Sequence, residues 1–173
     1  FVAIAVLYTF FWWVLAVPYF ALPETSQIFS DLRQAPLLKA TLSVVGLFLP
    51  TSAGSNGQLL IVHNLLCNAL TLIALGVLVQ LLHEKLSVAL MAVLLFAVST
   101  WPSFYLFSTT EAPLSALLAV LSFCCLIRAF GLEQPTGRWL ALAGICSGMQ
   151  ISISWAGFAS LLYLTTAVYL LSA

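Results

Sequence analysis

Charged side chains are scarce in this sequence. Its 173 residues include five Lys and Arg and five Asp and Glu, so the net charge is zero and 6% of the residues are charged, whereas 63% are hydrophobic. Soluble domains carry about 25% charged residues. The composition therefore excludes an ordinary water-facing surface, and the lack of excess positive charge gives no reason to expect a nucleic-acid partner. It is typical of a membrane protein.

Motifs for metal or redox chemistry are also missing. The four cysteines, Cys67, Cys124, Cys125 and Cys146, lie inside apolar runs without CxxC or Cys/His spacing, and we interpret them as small buried hydrophobic residues.

The first apolar run, 1–22, lacks the basic start and the cleavage site of a signal peptide, so we interpret it as a spanning helix. Both ends of the sequence lie within apolar runs, and we expect it to be a piece of a longer protein.

Long apolar runs dominate what remains. A helix needs about 20 apolar residues to cross hydrocarbon roughly 30 Å thick. The sequence predicts an all-α polytopic transmembrane helix bundle, a single domain with five or six spans plus a short interfacial helix. The predicted spans are about 1–22, 59–82, 86–107, 112–130, 139–153 and 155–173, and the interfacial helix is 36–50.

The short apolar run 40–50 decides the predicted topology. Eleven uncharged residues are too few to span a bilayer, so we expect them to lie at the interface or to re-enter it. The loop with Glu24 and Asp31 then lies on the same side as Glu111. The opposite turns carry three basic residues, Lys85, Arg128 and Arg138. The positive-inside rule, by three basic residues to two, puts those turns in the cytoplasm and the acids on the external, periplasmic or lumenal face.

Glu111 stands at the predicted mouth of a helix. Pro113 is tolerated only in a first turn, which favours Thr110 as the N-cap and Glu111 as the first helical residue. Grouped on one face, Glu24, Asp31 and Glu111 could bind a divalent metal or act as a general base. The alternative is that they are solvated loop charges and a helix-start residue.

Polar residues recur on one face of the predicted span 59–82. They are His63, Asn64, Asn68 and Thr71. We expect them to hydrogen-bond to neighbouring helices, because unpaired polar groups are costly in hydrocarbon. An alternative makes His63 an axial ligand of a haem or chlorin.

The order of these features resembles a known family. The pieces are a first span, a loop with Glu24 and Asp31, Ala35 and Pro36 opening an amphipathic stretch, two spans joined by a tight basic turn, Glu111 before a fourth span, and the run from Arg128 through Arg138 and Trp139 to Gly144 and Gly148. This layout resembles the N-terminal half of the GT-C superfamily of polytopic glycosyltransferases, most closely its protein O-mannosyltransferase and aminoarabinose transferase branch.

The resemblance implies a hexosyl or pentosyl transferase that uses a polyprenyl-phosphate-linked sugar on the external or lumenal face. By resemblance, Glu24 would be the base that deprotonates the acceptor, with Asp31 the second candidate and Glu111 a supporting acid. A divalent metal would lie near Glu24 and Glu111. Polyprenyl phosphate would leave as the acceptor oxygen attacks the anomeric carbon.

The sequence also departs from that family. Glu24 is followed by Thr25, where members usually carry a paired acidic motif, and the stretch 149–155 lacks the basic residue often found there. A non-catalytic scaffold subunit of a larger membrane complex, a degenerate relative, is therefore the rival hypothesis. Its partner contact would be the GxxxG face of Gly144 and Gly148, which lets another helix approach closely.

Overall fold

The computed structural model describes residues 1–16, 36–48, 56–99, 111–131 and 137–153, and five positions between 162 and 169. Within these ranges the chain forms helices and no strand, so the all-α fold class is confirmed there. The helices are α1 (Val2–Ala16), α2 (Pro36–Phe48), α3 (Asn56–His83), α4 (Leu86–Val98), α5 (Ala112–Phe130) and α6 (Gly137–Ile153). Two stretches are long and apolar enough to cross a membrane, Leu59–His83 of α3 and all of α5.

α3 is the helix against which most others pack. It has 28 residues and is therefore about 42 Å long. α1, α2, α4 and α5 all contact it, while α6 packs on α5 and on α2. Leu72 and Asn64, both on α3, are completely buried.

α1 and α5 run in opposite directions along α3. The Phe1 ring lies against Gly76, and the Tyr8 hydroxyl faces Asn68, so α1 is antiparallel to α3. In contrast, α5 is parallel to α3. Leu114 packs in one cluster with Leu60, and the Cys124 thiol lies 3.4 Å from the Ala74 carbonyl oxygen.

The remaining long helices are antiparallel to their neighbours. α4 follows α3 after two residues, the first of which, Glu84, has a left-handed φ of 54°. α6 is antiparallel to α5, because Ser115 near the start of α5 contacts Gln150 near the end of α6. Ser122, two turns further along α5, contacts Ser147.

These directions give the bundle two distinct ends. We call the first the Glu111 end, where α1 and α6 finish and α3 and α5 begin. The second is the Arg128 end, where α3 and α5 finish and α4 and α6 begin. The segment between α1 and α3 thus leaves the Glu111 end and returns to it.

α2 lies beside the first half of α3. Thr41 contacts His63, and Gly46 lies beside Leu59, so α2 is antiparallel to α3 and points toward the Glu111 end. Its 13 residues measure about 20 Å, which is shorter than the hydrocarbon core of a bilayer.

One local expectation needs correction. α5 begins at Ala112, and Glu111 is its N-cap residue and not the first helical residue; its side chain makes no capping bond. Thr110 lies outside the described residues. On α6, Gly144 and Gly148 are exposed, and an added Cβ at either would meet no described atom within 4 Å. Within the described chain α6 packs through a different face, about a third of a turn away, which carries Ala143, Ser147 and Gln150.

Candidate functional site

The polar stripe on α3 is buried along its length. His63, Asn64, Asn68 and Thr71 are each at most 3% exposed. His63 Nε2 lies 3.0 Å from the Thr41 hydroxyl on α2, and this interhelical contact is of the kind we expected. For Thr71 the expectation is wrong, because its hydroxyl donates to the Cys67 carbonyl of its own helix at 2.7 Å. Such bonds to the preceding turn satisfy a threonine without a neighbouring helix.

His63 is held from several sides. Its Nδ1 lies 3.4 Å from Asn64 Oδ1, and the Cys67 thiol lies 3.7 Å from Nε2. A role as axial ligand would require Nε2 to give up the contact with Thr41. That role stays a prediction.

A second set of polar side chains joins α5 to α6. The Ser122 hydroxyl lies 3.0 Å from the Ala143 carbonyl oxygen, to which it donates, and 2.8 Å from the Ser147 hydroxyl. Gln150 Nε2 donates to the Ser115 hydroxyl at 3.2 Å. These contacts between α5 and α6 were not predicted from the sequence. Their signal was the helical spacing of small and polar residues at positions 143, 147 and 150 within an apolar run.

Two buried polar atoms in this region lack regular hydrogen bonds. The Tyr8 hydroxyl faces Asn68 without a hydrogen bond of regular geometry, and Gln150 Oε1 accepts none from the described residues. Both side chains are buried. An unmade hydrogen bond to a buried group costs about 1–3 kcal/mol, which a water molecule bound at either atom would offset.

The buried polar groups are concentrated in the half of the bundle next to the Glu111 end. Asn64 lies in the third turn of α3, Ser115 in the first turn of α5, and Gln150 in the last turn of α6. In the other half, the buried residues of α3 and α5 beyond Thr71 and Ser122 are apolar: Leu72, Ala74, Gly76, Leu126 and Ala129. The bundle is therefore polar inside at one end and apolar inside at the other.

Of the three predicted catalytic acids, the structure describes Glu111. This residue occupies the N-cap position of α5 at the Glu111 end and is partly exposed, so its carboxylate can reach solvent or a ligand there. Glu24 and Asp31 lie outside the described residues. The described residues contain no group of three His, Cys, Asp or Glu side chains that could hold a metal ion.

The interior groups suit hydrogen bonding more than proton transfer. Histidine, asparagine, threonine, serine and glutamine side chains offer neutral donors and acceptors, and the partly exposed Glu111 lies at the same end of the bundle. The described cysteines are free: Cys67 is buried as we expected, and Cys124, Cys125 and Cys146 are half-buried.

No protein-family model matches the sequence, and no curated protein or solved structure matches it at a significant level. The class that the described geometry defines is an all-helical protein with two helices able to cross a membrane. The proposals that follow start from this class of protein.

Proposed function

We propose that this chain is a multi-pass integral membrane protein whose working face is the Glu111 end. The outer surface supports this, because large apolar side chains on α1 and α4 point away from the bundle. Examples are Leu7, 68% exposed, Phe10, 67%, and Val98, 79%. Soluble monomers rarely expose contiguous apolar surface of this kind, whereas a bilayer would cover it.

In the proposed topology α1, α3, α4, α5 and α6 cross the membrane, the run 155–173 is the sixth span, and α2 does not cross. The antiparallel packing of α1 against α3 supports this, since a crossing by α2 would make those two helices parallel. The basic residues at the Arg128 end favour the cytoplasm for that end. The Glu111 end then faces the outside, the periplasm or a lumen.

For the chemistry we propose sugar transfer from a polyprenyl-phosphate donor at the Glu111 end. The single observation that carries it is the meeting, at this end, of Glu111, of the end of α1 that leads to Glu24 and Asp31, and of the buried polar half. In this proposal Glu24 removes the acceptor proton, with Asp31 as the second candidate base. The acceptor oxygen attacks the anomeric carbon, and polyprenyl phosphate leaves.

A divalent metal near Glu24 and Glu111 stays a prediction. The described residues alone do not form such a site, because Glu111 is not joined by other described ligands. Metal sites for Mg²⁺ use one or two carboxylates together with substrate phosphates. Protein ligands for a metal here would therefore have to come from the loop that carries Glu24.

Thiol labelling tests the proposed working face. In a background with the four native cysteines replaced by alanine, we expect Glu24→Cys and Glu111→Cys to react with a membrane-impermeant maleimide in intact right-side-out vesicles. Lys85→Cys, at the Arg128 end, should react only after permeabilisation. Labelling of the first two positions from opposite sides would refute the topology and the transferase with it.

A scaffold subunit is the second candidate function, and one observation favours it. The Gly144 and Gly148 face of α6 is open among the described residues, although small residues at this spacing usually admit a partner helix. We expect Gly144→Leu to release a partner subunit in detergent while leaving the fold of this chain unchanged, because no described atom lies near the new side chain. Gly144→Ala is the matched control, and equal retention by both variants would count against the scaffold.

A further inference from the structure

The Arg128 end carries an arginine paired with a tryptophan. The Arg128 guanidinium lies over the Trp139 ring, 5.4 Å from its centroid. Arg128 is in the last turn of α5, which ends at Phe130, and Trp139 is in the first turn of α6. The contact therefore holds the side chain of Arg128 at the level where α5 ends and α6 begins.

The free edge of this arginine is available for an anion. A guanidinium that stacks its face on a ring keeps its in-plane N–H groups for hydrogen bonds, and their fork matches the oxygens of a phosphate. Arg128 is exposed, as is Arg138, which directly precedes Trp139. A second exposed arginine therefore lies next to Trp139 in the sequence, at the start of α6.

The surroundings suit the membrane surface. Tryptophan is enriched at membrane–water interfaces, where its ring lies at the level of the headgroups. The parallel packing of α3 and α5 also brings Lys85 to this end, with Glu84 as the described acid beside it. Glu133 lies outside the described residues.

We propose that Arg128, Trp139 and Arg138 form a site for the phosphate of an anionic phospholipid in the leaflet at the Arg128 end. The ring orients one guanidinium, and the second arginine completes the contact with the phosphate. This inference depends on the proposed membrane placement but not on sugar transfer, so either can fail without the other.

Lipid titration tests the site. The detergent-solubilised chain is titrated with phosphatidylglycerol or phosphatidylcholine, and bound lipid is counted by native mass spectrometry. We expect a preference for phosphatidylglycerol that weakens about fivefold in Arg128→Gln and about 25-fold in the double variant with Arg138→Gln. Arg128→Lys should fall between wild type and Arg128→Gln, because it keeps the charge and loses the fork.

Matched variants distinguish lipid binding at this site from general attraction to the positive charge of the Arg128 end. Lys85→Gln removes the same charge beside it and should change the affinity less than twofold, and Trp139→Phe should retain more affinity than Trp139→Leu. Equal losses in Lys85→Gln and Arg128→Gln would overturn the site. So would equal binding of the two lipids, or displacement of the lipid by millimolar inorganic phosphate. Unchanged helical circular dichroism in each variant confirms that it folds.

Discussion

Replacing Glu24 by glutamine is expected to reduce sugar transfer from a polyprenyl-phosphate donor by about 10²- to 10⁴-fold, because glutamine cannot accept the acceptor proton. Asp31→Asn should have the smaller effect if Glu24 is the base. The measurement is transfer of radiolabelled sugar from polyprenyl-phosphate hexose and pentose donors in vesicles that contain the full-length protein.

The matched control for Glu24→Gln is Glu84→Gln. Glu84 is an exposed acid at the Arg128 end, so the same change of charge should leave the transfer rate unaltered. Glu111→Gln should lower the rate less than Glu24→Gln, since Glu111 is proposed as a supporting acid. If the double variant Glu24→Gln, Asp31→Asn transferred sugar at the wild-type rate, neither residue would be the base. A wild-type chain that transfers none of the donors would leave the scaffold as the better proposal.

Leu72→Ala is expected to give the largest loss of stability among single core changes. Leu72 is completely buried and packs in one cluster with Ala5, Leu65 and Val93, so it joins α1, α3 and α4. Leu-to-Ala changes in cores cost about 2–5 kcal/mol. With the proposed membrane placement we expect the lower end, about 2 kcal/mol, because the unfolded helices would remain in lipid and the loss would be mainly one of packing. Unfolding by SDS in mixed micelles, followed by circular dichroism, measures it.

Leu70→Ala is the control for Leu72→Ala. Leu70 lies two residues away on α3 but is 51% exposed, so the same truncation should cost less than about 0.5 kcal/mol. An equal cost at both positions would mean that the surface around Leu70 is as tightly packed as the core. The packing of α1 and α4 on α3 would then need revision.

Much of the fold could be predicted because apolar run length and helix breakers act locally. α5 lies at 112–130, where Pro113 and Gly131 mark its two ends, and α2 lies within the predicted interfacial helix 36–50. The number of membrane spans is harder to predict from the sequence. Length and composition qualify two described helices: α1 is described over 15 residues, and α4 has 13 because it ends at Val98, with extended Ser99 as its C-cap.

What the sequence could not predict is how a helix is rotated about its axis. Gly144 and Gly148 mark a face that permits close packing, but Ala143, Ser147 and Gln150 form an equally regular face about a third of a turn away. Hydrogen bonds to Ser115 and Ser122 select the second face, and those depend on the position of α5. The burial of His63 and Asn64 followed from the cost of unpaired polar groups in hydrocarbon, whereas the choice of Thr41 as a partner depended on where α2 packs.

The polar partners of α3 that lie on α1 and α2 are synthesised before it, whereas the partners of α5 on α6 are synthesised after it. Tyr8 and Thr41, which face Asn68 and His63, precede α3 in the chain, so both are already made when α3 leaves the ribosome. Ser122 of α5, in contrast, contacts a segment that is translated after it. At about 5–20 residues per second, α5 waits a second or more for α6. During synthesis the Ser122 hydroxyl therefore gains its partners on α6 only after α5 is complete.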